Sequence, residues 1–256
     1  ANVRTFAGSS SFVIARQSKF MKWSALLLVF AFATFATAQT GEQKHIQAVR
    51  VQSPPKVDGD ISDPIWMTAP IATDFTELEP DNGAPPAAGM ETEVRILYDD
   101  DAVYFSFKNY DTNPDSVLRE LGPRDSRNKN TDYVAVFINP YADGQNDINF
   151  VLSASGVQAD SRTTIYGDDF AWNAVWESAV EMTEYGWSAE MKIPYYTLRI
   201  PEADVLWGLN MARYVRRTRR LYTWNYIDAS FGTFEQQNGR ITAIKNIQTP
   251  VRLSFM

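Results

Sequence analysis

The residues best suited to chemistry cluster between positions 168 and 176. Trp172 and Trp176 stand beside Asp168, Asp169 and Asn173, flat aromatic faces next to short polar side chains. An aromatic face with a few fixed donors and acceptors can hold a ligand that has an apolar side and a polar rim. Trp176 falls within a strand pattern and reads as core. Trp172 follows a Gly-Asp-Asp turn, and two readings stand for it, a packed core ring or a ligand platform. A catalytic set is harder to assemble. The single histidine, His45, lies in an amino-terminal stretch expected to be a flexible tail, and there is no cysteine. A Ser/His/Asp triad or a histidine-based metal site therefore has little to draw on. Asp168 with Glu190 is the carboxylate pair available for glycoside cleavage. Glu190, however, alternates outward on a strand and reads as solvated. Asp58, Asp60, Asp99, Asp100, Asp143 and Asp147 all sit in expected turns. Such hard oxygen ligands suit calcium, yet none has EF-hand spacing, and turn chemistry explains them too.

These residues must be held by a scaffold, and the stretch 172–201 shows its kind. Trp187, Ala189, Met191 and Ile193 alternate with Ser188, Glu190 and Lys192, the period of a strand with one buried and one wet face. Residues 175–182 read as its antiparallel partner, and Pro194 ends the ladder. Residues 93–98 and 102–110 form a hairpin across an Asp-Asp-Asp turn. Residues 132–139 are apolar on both faces, as a central strand would be. Further strands are expected at 48–52, 148–153, 156–165, 207–215, 222–227 and 241–247. Asp63 and Pro64 open a short helical turn that buries Trp66. The arginines at 213, 216, 217, 219 and 220 read as a solvated loop, or as a surface that docks onto an acidic partner. Many short strands separated by turn residues indicate an all-β antiparallel sandwich, jelly-roll or immunoglobulin-like, with short helical turns.

Residues 21–38 carry a short basic start, an apolar run and an Ala-Thr-Ala end, the pattern of a secretory signal peptide. Residues 1–38 are thus expected to be an upstream extension and signal, 39–235 the sandwich, and 236–256 the start of a downstream region. Removing 1–38 takes away Arg4, Arg16, Lys19 and Lys22 and no acid, so the net charge becomes (24 − 4) − 31 = −11. Phosphates would be repelled, which argues against nucleic acid as a partner.

The succession VDGDISDPIW, TEVRILYDDDAVYFSF, DYVAVFINP and GWSAEMKIPYYTLRI resembles the domain of carbohydrate-binding module family 9. The tail NMARYVRRTRRLYTW with NGRITAIKNIQTPVRL is similar to an uncharacterised outer-membrane family in which such a domain precedes a long barrel-like region. The resemblance implies a jelly-roll-like sandwich that binds oligo- or polysaccharide between two aromatic rings, often with structural calcium. It implies Trp172 as one platform, Asn173 and Arg95 as polar contacts, and Glu77 as the acid that partners Arg95. Phe75 or Tyr166 would supply the facing ring. Asp58, Asp60, Asp143 and Asp147 would be the calcium candidates. It further implies a non-catalytic, exported domain, periplasmic or associated with the outer membrane, with the barrel-like region as its covalent partner. The alternative is a structural or interaction domain that has lost the sugar.

Overall fold

A computed structural model describes residues 42–126, 130–164, 166–201 and 206–247. Both the expected signal sequence and the last nine residues lie outside these. The described chain is an all-β sandwich of two mixed sheets. In chain order the strands are β1 (His45–Gln47), β2 (Val49–Arg50), β3 (Thr76–Glu79), β4 (Thr92–Tyr98), β5 (Ala102–Tyr110), β6 (Tyr133–Asn139) and β7 (Ile148–Ser153). They continue with β8 (Gln158–Thr164), β9 (Gly167–Asp169), β10 (Glu177–Thr183), β11 (Gly186–Pro194), β12 (Trp207–Val215), β13 (Arg220–Thr223) and β14 (Gly239–Thr242). The larger sheet runs β1-β14-β12-β6-β7-β8-β9, with β13 and β3 paired beside the second half of β12. The smaller runs β10-β11-β5-β4-β2.

The period of two decides which side chains meet between the sheets. Val94, Ile96, Val103, Phe105, Phe107, Trp187, Ala189, Met191 and Ile193 face inward from the smaller sheet. Val134, Val136, Ile138, Phe150, Leu152, Leu209 and Met211 meet them from the larger one. Trp176 joins this core, as its strand pattern indicates.

The outer face of the smaller sheet is covered rather than wet. A strap over residues 51–69 lies on it, and Val51, Trp66 and Ala69 pack against Leu97, Ala102 and Tyr104 in a second apolar cluster. Its 3-10 turn, Pro64–Thr68, is capped by Asp63, whose carboxylate accepts from Ile65 N at 3.1 Å. Glu190, expected to be solvated, is fully buried beneath this strap. Trp66 Nε1 donates to Glu190 Oε1 at 2.9 Å, and the amides of Gly59 and Asp58 donate to Oε2 at 2.8 and 3.0 Å. Alternation gave Glu190 its face correctly, but a segment remote in sequence removes that face from water. Gly59 has φ +95, and a Cβ there would stand 2.8 Å from the Val180 carbonyl carbon, so only glycine permits this close approach.

Other expectations change in the same way. His45 is not in a flexible tail, because β1 pairs in parallel with β14. The arginine run is not simply solvated. Arg213 is buried and donates to the carbonyls of Met90 and Glu91, Arg217 grips Asp111 with both Nη atoms, and Arg220 pairs with Glu77. Buried carboxylates opposite this run draw the guanidinium groups inward. The sheet also continues past residue 235, since β14 is hydrogen-bonded to β12 on one side and β1 on the other.

A cleft on the outer face of the larger sheet

The residues expected to form one site are distributed over both sheets. Phe75 is buried in the inter-sheet core and cannot present a ring to a ligand. Glu77, on β3, is buried and committed to Arg220 and to the Asp81 amide at 2.9 Å, so it does not partner Arg95. Arg95 lies on β4 opposite Ser106, on the strap-covered side of the smaller sheet, with its Nε buried and unpaired. Trp172 is half-buried and packs edge-on against Phe150 at 6.3 Å between ring centres, with the Arg162 guanidinium 6.0 Å over its face. Asn173 is exposed and donates to the Ala171 carbonyl at 3.2 Å. Tyr166 stands 93% exposed at the turn between β8 and β9. Trp172 and Asn173 are neighbours in sequence, but Arg95, Glu77 and Phe75 are not brought to them.

The calcium candidates separate too. Asp58 and Asp99 accept from backbone amides two residues on, the ordinary chemistry of aspartate turns, and Asp60 does the same for Ser62. Asp100 pairs with Arg50. Asp143 and Asp147 do approach a common group, but that group is a donor. Asn139 Nδ2 donates to Asp143 Oδ1 at 2.8 Å and Asp147 Oδ1 at 3.2 Å, while its Oδ1 accepts from Tyr141 N at 3.2 Å. An amide NH₂ held between two carboxylates occupies the place a cation would need, so these residues do not fit calcium. Among the described residues no group of three or more His, Asp or Glu is arranged to hold a metal.

The concave feature with convergent chemistry lies elsewhere, on the outer face of the larger sheet. A cleft of about 240 Å³ runs across β12, β6, β7 and β8, with Asp168 of β9 and Phe170 at its rim. The strand registers build it in three rows. Tyr214, Tyr133 and Ser153 stand opposite one another in the first. Ala135, Val151 and Ala159 form the second, and Phe137, Asn149 and Ser161 the third. Small residues in the middle row leave a trough between two taller ones. The rings of Tyr133 and Tyr214 stack at 5.0 Å with 25° between planes. Burial, then the neighbouring Tyr214, pushes the Tyr133 phenol up to about 12, so it stays a neutral donor at ordinary pH. Phe137 leans on Phe234 at 4.7 Å.

Polar groups hold the rim in place. Asp132 Oδ1 accepts from Arg216 N at 3.0 Å, and Arg216 donates to Asn130 Oδ1 and to the Tyr214 hydroxyl at 3.2 and 3.3 Å. Arg124, on the loop that supplies Ser126 to the wall, is tied to buried Asp160 and to the Ala174 carbonyl. Asp160 also accepts from Ala174 N at 2.7 Å and Trp176 Nε1 at 3.1 Å. Thus the segment 168–176 passes from the cleft rim at Asp168 into the core at Trp176. Phe150 and Val151 point to opposite faces of β7, so Trp172 packs on the core side while the cleft lies on the other. The loop carrying Phe234 also presents Phe231, 69% exposed. It is pinned from within by Gln237, whose Nε2 donates to the Phe231, Asp228 and Thr233 carbonyls at 2.5, 3.2 and 3.3 Å.

The sequence profile described as carbohydrate family 9 binding domain-like matches residues 57–230. The chain belongs to that family. Among solved structures it is similar to a family 9 carbohydrate-binding module from Caldicellulosiruptor kristjanssonii in complex with cellotriose. That match has 17% identity and a TM-score of 0.55, covering 82% of this chain and 100% of the other. A family 9 module from the same organism in complex with glucose gives 16% identity and 0.54, covering 81% and 100%. A putative carbohydrate-binding protein from Bacteroides uniformis gives 14% identity and 0.63, covering 78% and 98%. At these identities the likeness shows the fold. No curated protein matches the chain.

Tyr133, Tyr214, Phe137 and Asn149 were not among the expected ligand contacts. For Tyr133 and Phe137 a signal was present in 132–139, a strand apolar on both faces. In a sandwich whose strands have one core side, apolar residues on the second face need something to cover them.

Proposed function

We propose that this is a non-catalytic carbohydrate-binding domain that holds a saccharide in the cleft across β12, β6, β7 and β8. The observation that carries the reading is the stacked Tyr133–Tyr214 pair beside a small-residue floor, with hydroxyl, amide and guanidinium groups around it. A sugar ring has an apolar face of C–H groups and a rim of hydroxyls. Aromatic walls take the first, and Ser126, Ser153, Asp168 and Arg216 meet the second. Membership of the family and two relatives solved with cellotriose and glucose support a sugar over other ligands. The reading extends to an exported domain, in the periplasm or at the outer membrane, joined to a barrel-like region. The signal pattern at 21–38 and the motifs at 210–224 and 238–253 support that extension. The test is a glycan array probed with the full chain, followed by calorimetric titration of any retained glycan. A saccharide bound with one-site stoichiometry is expected; no binding to any glycan up to millimolar concentration would end the sugar reading.

A further inference from the structure

The floor of the cleft narrows the class of sugar, on the reading that the cleft holds one. Ala135, Val151 and Ala159 lie directly opposite one another on β6, β7 and β8, and Val157 extends the apolar surface beside them. Val151 and Ala159 are only partly buried and so are open to a ligand, while Ala135, 1% exposed, lies at the base of the row. A glucose ring lowered onto such a floor by its hydroxyl-bearing edge would strip water from those hydroxyls and offer them no partner. A methyl group meets the same surface with no polar loss, and burying it is favourable by roughly fourfold in affinity.

One end of the floor carries a fixed amide. Thr163 Oγ1 gives its proton to Asp168 Oδ1 at 2.8 Å, because a carboxylate has none to give. Thr163 Oγ1 must therefore accept from Asn149 Nδ2, 3.2 Å away, and Ser161 Oγ takes the other N–H at 3.0 Å. This orients the amide. Asn149 Oδ1 is left turned away from β8, buried and without a partner, in a residue only 5% exposed. A buried acceptor so left is costly, and a ligand N–H that reached it, past the Phe137 position directly opposite on β6, would relieve that cost.

We infer that the cleft is built for a pyranose whose buried edge carries a methyl group, with an acetamido sugar the best match. Its methyl seats on Val151 and Ala159, and its amide N–H points to Asn149 Oδ1. A 6-deoxy sugar supplies the methyl without the N–H and ranks between it and glucose. Specificity of this kind comes from the polar groups a wrong ligand leaves unpaired as much as from contacts the right one makes.

The experiment is calorimetric titration of the full chain with N-acetylglucosamine, fucose and glucose, repeated on Val151→Thr, which keeps shape and strand preference but places a hydroxyl in the floor. N-acetylglucosamine is expected to bind at least tenfold more tightly than glucose, about 1.4 kcal/mol, with fucose between. Val151→Thr should shrink that ratio severalfold at unchanged melting temperature. Glucose binding as tightly as the two methyl-bearing sugars, or a ratio unmoved in Val151→Thr, overturns the inference while leaving sugar binding in the cleft intact. Failure of all three sugars to bind, while another glycan retained on the array still binds, overturns the inference and leaves the sugar reading standing.

Discussion

Replacing Glu190 with alanine tests the architecture most sharply at one side chain. Its carboxylate is fully buried under the strap and accepts from three N–H groups, those of Asp58, Gly59 and the Trp66 indole. In Glu190→Ala the Gly59 amide and the Trp66 indole remain buried with no acceptor, at roughly 1–3 kcal/mol each. The Asp58 amide is only part-buried and can return to water. The carboxylate itself is held up by desolvation above its ordinary range, so removing it returns part of that loss. The net expectation is a destabilisation of about 3 kcal/mol, or roughly 6–12 °C in melting temperature for a domain of this size. Denaturant unfolding gives the free energy, and hydrogen exchange at the Trp66 indole and the Gly59 amide locates the damage in the strap. Saccharide binding should be unchanged, because Glu190 faces away from the cleft, on the outer side of the other sheet. A free-energy change below 0.5 kcal/mol, or lost binding in a folded variant, would show that Glu190 does not have this role.

Three further outcomes follow from the same structure. Burial raises Asp132 and Asp147 to about 6 and raises Glu190 as well. A carboxyl raised in the folded state contributes stability that is present at low pH and lost as pH rises through its folded value. Melting temperature should therefore increase between pH 7.5 and 5, and a flat or falling profile there would contradict these assignments. Gly186, at φ +141, would place a Cβ 2.1 Å from the Asn109 carbonyl oxygen. Gly186→Ala should leave little folded protein by circular dichroism at 37 °C, and a native-like melt would argue against the β11–β5 register. Trp172→Ala removes a half-buried ring stacked edge-on to Phe150. It should cost stability of about 2–3 kcal/mol in chemical denaturation, less than a fully buried tryptophan, and leave the saccharide Kd within twofold; a selective loss of binding would return Trp172 to the ligand site.

Local alternation made the strands legible. Trp187 to Ile193 and Val103 to Phe107 face the core as their period of two requires, and Asp63 caps its turn through chemistry confined to a few residues. What lay beyond reading was decided by segments far apart in the chain. Glu190 is buried because the strap, more than a hundred residues earlier, crosses over it, and nothing near position 190 records that. Arg213 and Arg217 turn inward because Asp111, just past β5, and Asp132, just before β6, are brought to them. The cleft is a product of register. Tyr133 meets Tyr214 only because β12 pairs with β6, and the row Ala135–Val151–Ala159 exists only once three strands are aligned. Trp172 drew attention as the most conspicuous ring near polar residues, yet its neighbour Phe150 points to the core side of β7.

The claim that matters most is the location of the sugar, and Tyr214→Ala tests it directly. Tyr214 is partly exposed and stacks on Tyr133 at the cleft wall, so its truncation removes ligand-facing surface with little loss of core. Titration of wild type and variant with the same retained saccharide should show Kd raised roughly tenfold or more, with melting temperatures within a few degrees. An unchanged Kd in a folded Tyr214→Ala variant would contradict the account and place the sugar elsewhere on the sandwich.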